Sequence, residues 1–297
     1  MKRLLIFVVL LLGVSFKAIG QQVSSSDNVL LEYHPLNSQI FQNTRTLRIL
    51  LPNDYYKEGN NKKYKVLFLN DGQCLFDREI CNISNQEWRV DETVDSLLEL
   101  NKIVPLIVVG IDNTGIKQRG NEYLPWEDVY LDPPIPNPMG SKYPDFLFNE
   151  VLPFIKSEYR ITARREDIGL GGSSYGALIA FYTYMGKPER IGFLLLESPS
   201  FYVNDRAIIE KFKNFEKVLP KKVHLGIGTN ELGLKNCEES NEDNMMAVRD
   251  VKSLKKMLLT KGLNEDRIHL DVDECATHTE KSYAKRFPNA IQFLINE

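Results

Sequence analysis

Asp167-Ile168-Gly169-Leu170-Gly171-Gly172-Ser173-Ser174-Tyr175-Gly176-Ala177-Leu178-Ile179 is the stretch whose reading decides the fold. It begins as a short apolar run, passes through a Gly/Ser turn and becomes an apolar helix continued by Phe181 and Tyr182. Gly172 to Gly176 fits G-x-S-x-G, a pattern that lifts its central serine onto a strained turn between a strand and a helix. The flanking glycines are required because a Cβ at either place would collide with neighbouring backbone. Register selects Ser174, since Ser173 would need a glycine where Tyr175 stands. Three fixed positions recur by chance in roughly one chain in ten of this length. The weight therefore comes from the strand before and the helix after. The start of that helix also offers the Tyr175 N–H and a positive dipole end to a developing oxyanion.

Outward from this turn, β-rich runs alternate with amphipathic helices. Thr44 to Leu51 alternates like a half-buried strand, and Lys65 to Leu69 and Val104 to Ile111 are the continuous apolar runs of strands covered on both faces. Ile191 to Leu196, Val223 to Ile227 and Ile268 to Val272 read as further strands. Helices are expected near Val90 to Leu100, Pro144 to Tyr159, Met246 to Thr260 and Tyr283 to Ile295. Such alternation predicts an α/β class protein with a mostly parallel central sheet and helices on both faces, the α/β-hydrolase fold once the serine turn is included. One domain over 21–297 accounts for it. Asp112 to Lys142 shows no clear helix or strand, carries Tyr123, Trp126, Tyr130 and prolines 133, 134, 136 and 138, and reads as a binding loop.

The chain opens with Lys2 and Arg3, an apolar run from Leu4 to Phe16, and Ala18-Ile19-Gly20. That is the layout of a secretory signal peptide over 1–20, too short for a membrane span and without a Cys for lipid attachment. It predicts an exported protein, periplasmic or extracellular, with no stable membrane anchor. A formal charge of −3 makes nucleic acid a poor partner. Four cysteines, Cys74, Cys81, Cys237 and Cys275, allow three disulfide connectivities, among which spacing does not choose. Their spacings do not suggest zinc, and no HExxH, G-x-G-x-x-G or P-loop pattern is present.

A serine hydroxyl needs a base, expected in the chain order Ser…acid…His. Of four histidines, His34 lies upstream, His224 sits within a strand, and His269 reads as the wet face of an edge strand. His278 remains, on the loop before the final helix. The acid should follow the penultimate strand, where Gly228-Thr229-Asn230-Glu231-Leu232-Gly233 places Glu231; Glu238, Asp243, Asp271 and Asp273 compete. A second oxyanion donor is expected from Asn70-Asp71-Gly72-Gln73-Cys74, with the Gln73 backbone N–H as the candidate.

At these residues the chain resembles the esterase family that includes enterochelin esterases, esterase D, feruloyl and acetylxylan esterases and mycolyltransferases. The resemblance runs through Leu67 to Gln73, Val108 to Asp112, Arg119 to Pro125, Gly172 to Gly176, Glu197-Ser198-Pro199-Ser200, Gly228 to Gly233 and His278. Thr279, Tyr283 and Tyr175 depart from residues common in relatives and blur the subfamily. The resemblance implies a serine carboxylesterase with Ser174, Glu231 and His278 as its triad, an oxyanion hole from the Gln73 and Tyr175 amides, and no cofactor. Arg119, Glu122, Tyr123 and Trp126 would shape the substrate pocket, with Arg119 either gripping an acidic group or pairing with Glu122. The expected substrate is a small-molecule or carbohydrate ester, such as a polysaccharide side-chain ester or a siderophore lactone. An acyltransferase and a non-catalytic binding protein are the competing classes.

Overall fold

A computed structural model describes residues 29–296 except 82, 129, 130, 132, 136 and 238–240. The leader read over 1–20, together with Tyr130, Pro136 and Glu238, lies outside the described residues. The strands are β1 (Val29–Ser38), β2 (Asn43–Pro52), β3 (Lys65–Asn70), β4 (Leu106–Ile111), β5 (Ile168–Ser173), β6 (Phe193–Glu197), β7 (Lys222–Gly228) and β8 (Ile268–Asp273). They form one sheet in the order β1-β2-β4-β3-β5-β6-β7-β8. The β1–β2 and β2–β4 pairs are antiparallel, and every pairing from β4 to β8 is parallel.

Around the sheet lie α1 (Val90–Glu99), α2 (Ile116–Tyr123), α3 (Tyr143–Phe146), α4 (Leu152–Glu158), α5 (Tyr175–Gly186), α6 (Val203–Lys213), α7 (Glu242–Thr260) and α8 (Glu280–Ile295). A π-helical stretch, Leu147–Val151, joins α3 to α4, so the helix expected over 144–159 is present in three segments. On β3, Val66 and Phe68 enter one core and Leu67 and Leu69 the other, because successive side chains of a strand point to opposite faces. The second core is closed by α1 and α8 through Val94, Leu97, Phe287 and Leu294; the first takes α3 to α7. Doubly covered strands have no use for polar alternation, which explains the unbroken apolar runs.

Three elements escaped the pattern. β1 is an edge strand that carries Pro35, a residue that argues against a strand except at an edge. Helix α6 was not legible as a periodic segment. Helix α2 falls inside the stretch expected to lack regular structure, and this corrects that expectation. Its sequence, IKQRGNEY, is polar and interrupted by Gly120, so it shows no apolar stripe. Tertiary contacts hold it instead. Gly120 lets Ile135 pack onto the helix, since a Cβ there would lie 2.2 Å from Ile135 Cδ1 and that side chain would have to move. Tyr123 is fully buried, and Glu122 forms an ion pair with Arg45 of β2 at 2.8 Å with both side chains enclosed. Asn43 donates a further hydrogen bond to Glu122, and the Arg45 guanidinium lies 4.3 Å from the Phe146 ring centroid.

Breaking one partner of such a pair leaves a buried charge uncompensated, at a cost of about 3–5 kcal/mol. Glu122→Gln is expected to lower unfolding free energy by about that amount in urea titrations, whereas an exposed glutamate such as Glu216 changed to Gln should move it by less than about 0.5 kcal/mol.

Candidate active site

Strand β5 lies in the interior of the sheet and stops at Ser173, and α5 begins at Tyr175. Ser174 joins them with φ 56° and ψ −127°. A non-glycine residue in such a conformation carries about 1–3 kcal/mol of strain and persists only where its surroundings over-determine it. Here the Ser174 N–H donates to the Glu197 carbonyl at 3.0 Å, and its carbonyl accepts from the Ala177, Leu178 and Ser200 N–H groups. A Cβ on Gly172 would lie 2.9 Å from the Gly176 carbonyl carbon, and one on Gly176 would lie 3.0 Å from Asp71 Oδ2. Gly172 is therefore required by a backbone clash, and a Cβ at Gly176 would have to displace the Asp71 carboxylate by a few tenths of an ångström. Ser173 remains a strand residue, paired with Glu197 and buried. Ser174 is half-exposed at the turn.

Tyr175 occupies the first position of α5, where backbone N–H groups have no acceptor within the helix. The Asn70–Gln73 loop leaves β3 beside it. Asn70 Nδ2 donates to the Gly176 carbonyl at 2.7 Å and Asn70 Oδ1 accepts from Tyr143, tying the loop to the first turn of α5. Asp71, at φ 60°, is the hub of this loop. Arg119 holds both its carboxylate oxygens at 2.8 Å, Asn113 Nδ2 donates to Oδ1 at 2.7 Å, and the Asp71 N–H donates to the Tyr123 hydroxyl at 3.2 Å. Gln73 Oε1 accepts from the Asn113 N–H. Burial works against the charge of Arg119, but Asp71 more than compensates and raises its guanidinium above the ordinary value.

These contacts place the candidate pocket residues. Arg119 binds both carboxylate oxygens of Asp71, and the expected pairing with Glu122 is corrected, since Glu122 pairs with Arg45. Glu122 faces Arg45 in the core, Tyr123 is enclosed, and Trp126 packs edge-on against Tyr182 of α5 at 5.4 Å. Arg119 and Tyr123 thus contact the loop that carries Gln73, and Trp126 contacts the helix that begins at Tyr175.

Glu231 and His278 are brought together across 47 residues of chain: His278 Nδ1 meets Glu231 Oε2 at 2.5 Å. Glu231 Oε1 accepts from the Gly228 N–H at 2.7 Å and from Ser198 Oγ at 2.8 Å. The two loops are joined by the Cys237–Cys275 disulfide and by hydrogen bonds from Asn230 N–H to the Ala276 carbonyl and from Cys275 N–H to Thr229 Oγ1. Thr279 caps α8 by accepting from the Ser282 N–H, which ends the His278 loop at a defined place. Cys74 and Cys81 pair with each other next to the Gln73 loop, so these sulfurs are not available as thiolate ligands beside Glu280.

Ser174 Oγ lies 3.2 Å from Ser200 Oγ, and the hydrogen bonds among the described residues do not include one from His278 to Ser174. Ser200 and His278 line the same cavity of about 400 Å³, with Glu231. Its other walls include Phe201, Tyr202, Ile227, Leu232 and Met246, with Leu232 and Tyr202 notably exposed. Among the competing acids Asp243 lines this cavity but does not bond the imidazole, and Asp273 pairs with Lys285. His34 bonds Tyr159 on the far edge of the sheet. His269 is not simply on a wet face: its Nδ1 meets His224 Nδ1 at 2.9 Å and its ring packs on Phe293. Sequence reasoning missed Glu197, Ser198, Ser200 and Arg286. A glutamate closing the apolar run that ends at Leu196 was the available signal.

A mostly parallel sheet whose interior strand breaks into a helix at a glycine-flanked serine defines an α/β-hydrolase fold. The chain belongs to the family described as Putative esterase, whose profile matches residues 38–294. The "uncharacterized protein YbbA" of Bacillus subtilis (strain 168) is 24% identical over 252 residues, 84% of this chain and 92% of its own length. Enterochelin esterase from Shigella flexneri superposes with a TM-score of 0.66 at 19% identity, covering 89% of this chain and 57% of that one. This chain thus spans a little over half the length of the Shigella enzyme. A ferulic acid esterase superposes at 0.64 with 15% identity, covering 91% and 99%. At these identities the superpositions show a shared fold, and family membership supports ester hydrolysis.

The Cys237–Cys275 bridge closes 38 residues of chain, worth roughly 4 kcal/mol in a chain-entropy treatment. The Cys237→Ser/Cys275→Ser double variant is expected to melt earlier. It should also lose ester turnover at temperatures where circular dichroism still shows a folded protein, because the bridge clamps the Glu231 and His278 loops together. Full turnover in the folded variant would show that the loops hold their geometry without it.

Proposed function

We propose that the protein is an exported serine carboxylesterase that works through an acyl-enzyme. The observation that carries this reading is a strained, glycine-flanked Ser174 whose Oγ lies 3.2 Å from Ser200, a residue that lines one cavity together with the hydrogen-bonded Glu231–His278 pair. Export is supported by the leader pattern and by the two disulfides, which persist in oxidising compartments.

In the proposed reaction Ser174 Oγ turns from Ser200 toward His278, and its oxygen attacks the ester carbonyl carbon while Nε2 takes the proton. Glu231 accepts the Nδ1–H bond, which fixes the tautomer with Nε2 as base and stabilises the imidazolium. The carbonyl oxygen, now negative, is received by the Tyr175 and Gln73 amides. Collapse breaks the C–O bond to the alcohol, which leaves with the proton from His278. Water, deprotonated by the same imidazole, then attacks the acyl carbon, and Ser174 recovers its proton as the acid departs.

The cavity also speaks to substrate. Its walls are mainly apolar, the charged side chains lining it are Glu231, Asp243 and Asp250, and no lysine or arginine is among them. Glu231 is paired with His278 and Asp250 with Arg206, so an anionic group placed there would face the Asp243 carboxylate with no lysine or arginine among the described lining residues. An uncharged acyl ester, such as an acylated carbohydrate, suits it better than an anionic siderophore.

The test uses p-nitrophenyl esters. Ser174→Ala and His278→Ala are expected to lower kcat by at least about 10⁴-fold and Glu231→Gln by about 10²–10⁴-fold. Ser174→Ala should also abolish fluorophosphonate labelling. Near wild-type turnover in Ser174→Ala would remove that residue from the mechanism. For substrate charge, kcat/KM for p-nitrophenyl butyrate should exceed that for the anionic p-nitrophenyl succinate by about tenfold or more, roughly what one uncompensated charge at a partly screened site costs; the reverse order would overturn the uncharged-ester reading.

A further inference from the structure

One hydroxyl away from Glu231 lies a run of buried charge whose side chains take no step in the proposed reaction. Glu197, the last residue of β6, is fully buried. Its Oε1 meets His224 Nε2 at 2.8 Å, and its Oε2 accepts from Arg286 Nε at 2.8 Å and forms an ion pair with Nη2 at 2.7 Å. Gly226 on the neighbouring strand leaves the room, since a Cβ there would sit 2.3 Å from Glu197 Oε2. Arg286, on α8, is also enclosed. Burial alone would raise the Glu197 carboxyl, but Arg286 and His224 hold it below the ordinary glutamate value. Replacing a buried ion pair by apolar side chains is often neutral or stabilising, so packing alone does not explain the charges.

The hydrogen bonds that leave this pair have a direction. Arg286 Nη2 donates to Ser198 Oγ at 3.3 Å, and Ser198 Oγ donates to Glu231 Oε1 at 2.8 Å. A guanidinium can only donate, so Ser198 must accept from it, and its single hydroxyl proton is left for Glu231. With Oε1 occupied by Ser198 and the Gly228 N–H, Oε2 faces the Nδ1–H of His278. Glu197 also reaches the serine turn, its carbonyl accepting the Ser174 N–H, while the Ser198 N–H is anchored on the Gly226 carbonyl of β7.

We propose that Glu197 and Arg286 are positioning residues that act through Ser198 to orient Glu231 toward His278. The proposal rests on the assignment of Ser174, Glu231 and His278 as the triad. Glu197 fixes the guanidinium, the guanidinium fixes the hydroxyl proton, and the hydroxyl fixes which carboxylate oxygen serves the imidazole. His224 completes the arrangement from the other side, with only one proton fitting between its Nδ1 and that of His269.

The test measures kcat and KM on p-nitrophenyl butyrate, with circular dichroism and melting of each variant. Ser198→Ala removes one hydroxyl and is expected to lower kcat about tenfold or more with KM within about twofold, the mark of an interaction used in the transition state. Glu197→Gln/Arg286→Met removes both buried charges together, so neither is left unpaired. It should lower kcat by a similar factor, and adding Ser198→Ala to it should cost nothing further, because residues acting through one bond are non-additive. Wild-type kcat in Ser198→Ala, or losses that simply multiply, overturns the proposal. If the charge-pair variant does not fold, Ser198→Ala alone decides. Ser174→Ala, assayed alongside, separates the two readings: an inactive Ser174→Ala with a fully active Ser198→Ala removes only the positioning role, whereas an active Ser174→Ala removes the triad itself.

Discussion

Ser174 holds φ 56° and ψ −127°, a conformation that an L-residue keeps only when its neighbours leave no alternative. The structure around it can be understood as the set of contacts that enforce this. β5 is an interior strand, so the turn cannot relax outward, and Gly172 and Gly176 let Asn70 and Asp71 approach the helix start at contact distance. Glu197 and Ser200, from the end of the next strand, grip the Ser174 N–H and carbonyl. Strain of a few kcal/mol is maintained because both hydrophobic cores meet at this strand and would have to loosen together to release it.

The loops at the carboxyl ends of the strands are secured by covalent and ionic ties more than by apolar packing. Asp71 gathers Arg119, Asn113 and Tyr123, and the Cys74–Cys81 bridge closes the same loop from its other end. The Cys237–Cys275 bridge does for the Glu231 and His278 loops what Asp71 does for the Gln73 loop. Loops carry little core of their own, so ties of this kind are an economical way to hold a site with little mobility.

Charge is distributed with the same logic. The cations near the site, Arg119 and Arg286, are each paired with a buried carboxylate, and neither is among the residues that line the cavity. The cavity lining combines apolar side chains, small polar ones such as Ser200 and Asn244, the carboxylates of Glu231, Asp243 and Asp250, and His278.

Much of this was legible in the amino-acid sequence. Doubly buried strands announce themselves as unbroken apolar runs, and a glycine-flanked serine between a strand and a helix admits few geometries, so the parallel sheet and the placement of Ser174 followed from local pattern. Glu231 and His278 could be nominated by chain order, because the topology of the sheet delivers its strand ends to one edge. Local pattern could not reveal α2, whose polar sequence is helical only because Asp71, Arg45 and the core hold Arg119, Glu122 and Tyr123. For the same reason Arg119 and Glu122 looked like pocket residues, since a charged side chain carries no local mark of the partner that will bury it. Edge strand β1 was masked by Pro35, and the disulfide partners, the Ser174–Ser200 contact and the path from Glu197 to Glu231 arose only once distant segments were packed together. Periodicity and turn chemistry are properties of neighbours in the chain; the choice of partner for a buried charge or a thiol is a property of neighbours in space, and only the tertiary structure decides it.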